Sequence, residues 1–181
     1  MQTWRERGAF GMVAAMTPSE SLQPIDLPQS SVGAPLPHVF ADEHQLLIGY
    51  IAQVSDPNWD GSTARIVGPG SDDEVCVLVS VEDYWAFQFG PPNDEAIEGH
   101  RLYHLGLTPY SSFEVLNSKW IAELEIANRV HACHRPEHFS RYRHIILTFH
   151  DSTLEFIASK FTVRIVRGSV RAAVLGAAEI R

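Results

Sequence analysis

The apolar positions of this chain change their spacing from one stretch to the next. QLLIGYIAQV, 45–54, is a nearly continuous apolar run with β-branched and aromatic members. A run of that length reads as a strand covered on both faces. SDPNWDGS then supplies strong turn punctuation. TARIVG and VCVLVSV flank PGSDDE, a pattern that predicts a hairpin. The second run continues through EDYWAFQFG and stops at Gly90, Pro91 and Pro92. Alternation puts Trp85, Phe87 and Phe89 on one face and Tyr84 and Ala86 on the other.

The second half of the chain mixes the two periods. NDEAIEGHRLYHLG, 93–106, predicts a short helix with Asn93 or Asp94 as its cap and acids in the first turn. SSFEVL, 111–116, predicts a strand. NSKWIAELEIANRV is the clearest helix. Asn117 or Ser118 caps it, and Trp120, Leu124 and Ala127 recur on one face. It should end near 130–132, because the residue before Pro136 is pushed out of the helical region. RPEHFSRY can restart as one helical turn with Pro136 near its first position. RHIILTFH, 143–150, and LEFIAS, 154–159, predict paired strands around DST. KFTVRIV, 160–166, predicts another strand. GSVRAAVLGAAEI predicts a closing helix capped by Ser169, with Val170, Val174 and Ala177 on one face.

Six to seven strands, one central amphipathic helix and one C-terminal helix, without βαβ alternation, define an α+β class with a largely antiparallel sheet. Residues 1–37, rich in Pro, Ser and Gln, are expected to be a flexible N-terminal arm. Residues 38–181 are expected to form a single domain. The hydrophobic fraction of 45% and charged fraction of 20% suit an ordinary globular core. The formal net charge of -8 opposes binding to a phosphate backbone, so nucleic acid is not expected as a partner. Arg164, Arg167, Arg171 and Arg181 read as a solvated face. No apolar run approaches the roughly 20 residues of a membrane span. The first residues faintly resemble a signal peptide, but the run is short and broken by Gly and Ala. Translation from Met12 or Met16 is the competing explanation. A cytoplasmic location is expected, and a homodimer is compatible with the sequence.

Four groups of residues could carry chemistry. HACHRPEH places His131, Cys133, His134 and His138 within reach of one zinc, iron or copper ion. Pro136 breaks the register that would align His134 with His138, and no CxxC or HExxH accompanies them. The competing reading is a helix C-terminus where histidines cap carbonyls. His100 and His104, four apart, would share a helix face near Glu98. His150 and Asp151 end a strand, where Asp and Ser equally stabilise a turn, and Glu155 could pair with His150 across the hairpin. With His104 they form the catalytic candidates of a His/Asp enzyme. Cys133 beside a histidine also resembles an activated thiolate. Cys76, inside VCVLVSV, reads as a small buried hydrophobe. Lastly, Trp85, Phe87, Asn93 and Asp94 frame an aromatic strand and a Gly-Pro-Pro turn that could line a ligand pocket. The leading expectation is a binding module for a small molecule or a protein. The alternative is the His/Asp enzyme, metal-dependent or not.

Overall fold

The computed structural model describes residues 19–55, 60–62 and 66–179. Its framework is one seven-stranded sheet, antiparallel throughout, in the order β1-β5-β6-β7-β4-β3-β2. The strands are β1 (Ser21–Pro24), β2 (His38–Ala41), β3 (Leu46–Ile51), β4 (Glu74–Gly90), β5 (Ser112–Leu116), β6 (Arg143–Thr148) and β7 (Thr153–Gly168). Two α-helices, α1 (Lys119–Asn128) and α2 (Val170–Ala178), pack on it, with short 3-10 helices at Asp94–Gly99, Tyr103–Leu105 and Pro136–Arg141. The expected α+β class with a largely antiparallel sheet is therefore the observed one.

β4 and β7 form the spine. They pair along their whole length, from Glu74 opposite Gly168 to Gly90 opposite Thr153. Their outer neighbours cover opposite ends. β3 pairs with residues 76–81 of β4, and β6 pairs with residues 153–158 of β7. The sequence read residues 154–159 and 160–166 as two strands. They are one strand, because nothing between Ser159 and Lys160 breaks extended backbone.

One face of the sheet carries the main core: Ile48 and Tyr50 of β3, Val77 and Val79 of β4, Ile145 and Leu147 of β6, and Phe156 of β7. The rings of Tyr50 and Phe149 lie 5.4 Å apart although β3 and β6 are separated by two strands. The sheet therefore curls around this core. Residues 25–31 run across the open side. The Ile25 amide donates to the Ser112 carbonyl, and the Ser31 amide donates to Ile51. Of the N-terminal residues expected as an arm, 1–18 lie outside the described residues. Residues 19–37 follow the body, with β1 paired to β5.

The opposite face is divided between two sets of helices. α2 covers β2, β3 and β4 at one end. It approaches so closely that a Cβ added at Gly49 would stand 2.4 Å from a Val174 methyl. Only glycine admits that contact. At the other end the 94–105 segment and α1 cover β5, β6 and β7. Ser118 caps α1 and Ser169 caps α2 through side-chain oxygens that accept the Ile121 and Ala172 amides. Both caps were legible as polar residues opening an apolar-periodic run.

Three sequence expectations change. Residues 66–68 of the expected TARIVG strand are not in a strand, and 63–65 lie outside the described residues. β4 takes β3 as its neighbour instead, because QLLIGYIAQV has the longer apolar edge to bury. The 93–106 helix is two 3-10 turns interrupted around His100. The alternation of 84–89 is also broken. The β4–β7 register shifts between Tyr84 and Ala86, next to Asp83 at φ 50°. A bulge moves one residue to the other face. Tyr84 and Phe87 consequently share the core face, their rings 6.1 Å apart. Trp85 packs on the other side against Phe139 and Tyr142.

Candidate functional site

Two strand residues begin the site. On the helix-covered face of β6 and β7, His144 and Glu155 are polar side chains buried among apolar neighbours. His144 stands opposite Ile157 and Glu155 opposite Ile146, which makes the two diagonal neighbours. His144 Nε2 lies 2.8 Å from Glu155 Oε2. His144 Nδ1 lies 2.8 Å from Ser118 Oγ, the cap of α1. The bonding pattern assigns the protons. Ser118 accepts the Ile121 amide and donates its hydroxyl proton to Nδ1, while Nε2–H donates to the carboxylate. Trp120 closes edge-on over the imidazole at 5.2 Å.

Glu155 gathers two further donors from the 94–105 segment. His100 Nδ1 accepts the Leu102 amide at 3.2 Å, so its Nε2–H donates to Glu155 Oε1 at 3.3 Å. The Arg101 guanidinium donates to Oε2 at 3.0 Å. Burial alone would raise the pKa of this carboxyl group. The hydrogen bonds from His100 and His144 and the charge of Arg101 outweigh burial and hold it well below the usual carboxylate range. A carboxylate held ionised so firmly is a poor general acid or base, because proton transfer works best near the operating pH. Glu155 is an anchor. The Ser118–His144–Glu155 chain has the connectivity of a catalytic triad, but its imidazole is 0% exposed and its hydroxyl is engaged by the helix cap.

Above this anchor the surface opens into a groove with two lobes. The first, about 380 Å³, is lined by residues 88–92, Gly99, His100, Arg101, Thr153 and Glu155. The second, about 360 Å³, is lined by Glu20, Gln88, Arg101, His104 and residues at the start of α1. Gln88 and Arg101 belong to both lobes and form the seam. Each lobe falls within the size range of small-molecule sites. Arg101 is 43% exposed and is held from behind by Glu155 and by Glu20 Oε1 at 3.3 Å. Two of the five guanidinium donors are so engaged, which leaves three without a protein partner among the described residues.

A second cluster lies at the β6–β7 turn. His150 Nδ1 sits 2.9 Å from Asp94 Oδ2 and 2.8 Å from the Tyr110 hydroxyl. Tyr110 in turn reaches Asp94 Oδ2 at 2.5 Å. The Asp94 hydrogen bond and charge raise the His150 pKa, and the Tyr110 and His150 hydrogen bonds lower that of Asp94. Burial and Asp94 push the Tyr110 phenol up to about 12. Asp151, expected beside His150, approaches Nε2 only to 4.0 Å and is exposed.

The remaining candidates fall apart in space. His104 lines the second lobe of the groove, away from His150. Asn93 caps the 94–99 turn by accepting the Ala96 amide, and Phe87 belongs to the core. Trp85 lies outside both lobes, whereas Phe89 at the end of the aromatic strand and the Gly-Pro-Pro turn line the first. His131, Cys133 and His138 are exposed. His134 turns inward, with Nε2 2.8 Å from Glu125 and Nδ1 3.0 Å from Asn128. Among the described residues no three His, Cys, Asp or Glu side chains gather as a metal site. No described helix is long and apolar enough to cross a membrane.

Sequence reasoning named His100 and Glu155 without joining them, and it gave no role to His144, Arg101 or Gln88. The usable signal was two ionisable residues set inside the apolar runs HIILTF and LEFIA of adjacent strands. No protein-family model matches the chain, and no similar curated protein or solved structure is found.

Proposed function

We propose that the protein is a small-molecule binding module whose ligand lies in the groove along Gln88 and Arg101. The observation that carries this reading is the Arg101 guanidinium, fixed from behind by two carboxylates and half open at the seam of two lobes. Its rotamer is set before any ligand arrives, which lowers the entropic cost of binding. Arg101 offers donors, and the Gln88 amide offers both a donor and an acceptor.

The charges narrow the ligand class. One guanidinium stands against Glu20 and Glu155, so the seam carries no net positive charge to reward a strong anion. The setting favours a neutral molecule with carbonyl or ring-nitrogen acceptors, and with an apolar part against the 89–92 wall. Saturation-transfer NMR with planar amide and heteroaromatic fragments tests this. Hits should weaken at least tenfold in Arg101→Ala and Gln88→Ala. Equal binding to both variants would contradict the proposal.

A catalytic reading would rest on different residues. His150 is the exposed member of the second cluster, with a carboxylate orienting Nδ1 and Nε2 toward solvent, as in general-base pairs. His150 lines neither lobe of the groove, so it stands second. Turnover of a model ester that disappears in His150→Gln would reverse the order.

A further inference from the structure

Among the described residues, the stagger of the sheet leaves part of β7 without a strand neighbour on one side. Its pairing with β6 ends at Ala158, opposite Arg143, while its pairing with β4 continues to Gly168. Among the described residues, 159–168 therefore present one free backbone edge. An unpaired edge is a template for another strand. Proline and bulges, which commonly block such edges, are absent from this window. It also carries apolar side chains toward solvent. Val163 is 36% exposed and Ile165 64%. Phe161 shares their face, opposite buried Val81.

We propose that this edge pairs with the same edge of a second copy, antiparallel, with Val163 on the two-fold axis. Three constraints select that register. A two-fold axis normal to the sheet sets a residue opposite its own copy, so paired positions share a face. Only axes at Val163 or Arg164 let nearly the whole free window pair before the partner strand meets β6. An axis at Arg164 would set two arginines directly opposite, and like charges so placed are destabilising. An axis at Thr162 would set Lys160 opposite Arg164 and forfeit the end of the window.

The Val163 register avoids both. It sets Val163 opposite Val163, Phe161 opposite Ile165, Thr162 opposite Arg164 and Lys160 opposite Val166. The exposed apolar row becomes continuous across the two copies. Lys160 and Arg167 keep the ion pairs they already make with Glu82 and Asp73. A two-fold contact of this kind is self-complementary and closed, so it yields a dimer without open-ended growth.

The test uses the full chain. Sedimentation velocity at about 100 μM, where even a micromolar interface is filled, should give a dimer. Val163→Lys opposes two ammonium groups on the axis and should give a monomer with an unchanged circular dichroism spectrum. Register is read separately by cysteine pairing in a Cys133→Ser background. Val163→Cys should cross-link on mild oxidation, because directly opposed strand residues lie within disulfide reach. Arg164→Cys should not. A monomeric wild-type chain, or efficient cross-linking only through position 164, would overturn the proposal.

Discussion

His144 Nε2 lies 2.8 Å from Glu155 Oε2, and this one contact ties the cap of α1 to the floor of the groove. Through Nδ1 the same ring holds Ser118. The order runs from helix cap to buried imidazole to carboxylate to the Arg101 guanidinium. The groove is thus positioned by a satisfied polar chain running between two strands and the helix laid over them. Chains of this kind specify one arrangement, because every partial alternative leaves a buried group unpaired.

The two serine caps should differ for that reason. Ser169→Ala removes a cap from α2 and should cost about 1 kcal/mol. Ser118→Ala removes a cap and also strips the partner from a fully buried imidazole nitrogen, and should cost about 2–3 kcal/mol. Urea unfolding of the two variants provides the comparison. Equal losses would mean that the Ser118–His144 bond contributes nothing.

Glu155→Gln should be the most damaging change at the groove floor, at about 3 kcal/mol, since it leaves Arg101 and two imidazoles facing a neutral amide. Its pH signature follows from linkage. The folded-state pKa lies below the ordinary 4.5, so the unfolded chain binds the proton more readily. The stabilisation is present above about pH 4.5 and is lost as the pH falls from there. Wild-type stability should decline on that acid limb, and the glutamine variant should show a flatter one. Parallel acid limbs in the two proteins would exclude Glu155 as the titrating anchor.

His150 should behave in the opposite sense. Its folded-state pKa is raised by Asp94, so its contribution is complete below the ordinary 6.5 and fades as the pH rises through the higher folded value. An NMR titration of the His150 ring protons should give a midpoint above 6.5. Asp94→Asn should bring it back toward that value. A wild-type midpoint at or below 6.5 would mean that the Asp94 bond does not form in solution.

The sequence was readable wherever one element decided its own form. Ser118 and Ser169 were visible as caps, and the DST turn and the Trp120 helix were visible from local spacing. Parity failed at Trp85 because the bulge beside Asp83 is a property of the β4–β7 pairing, which local alternation does not record. β1 was missed because LQP carries no strand period of its own and is ordered by β5. HACHRPEH is conspicuous only for its density of histidines. The residues that organise the groove are solitary: Glu155 in LEFIAS, His144 in RHIILTFH and Arg101 between two 3-10 turns. Their meaning comes from convergence across distant segments: His100 and Glu155 are 55 residues apart, and Glu20 and Arg101 are 81 apart.

The groove is tested most directly by chemical-shift mapping. A two-dimensional amide spectrum of the labelled full chain should be recorded against the planar amide and heteroaromatic fragment panel. Perturbations should cluster at residues 88–90, 99–101 and 119–123, on both sides of the Arg101 seam, and vanish in Arg101→Ala. Saturable perturbations gathered instead around Trp85 or around His150, with the seam silent, would contradict the assignment of the groove as the binding site.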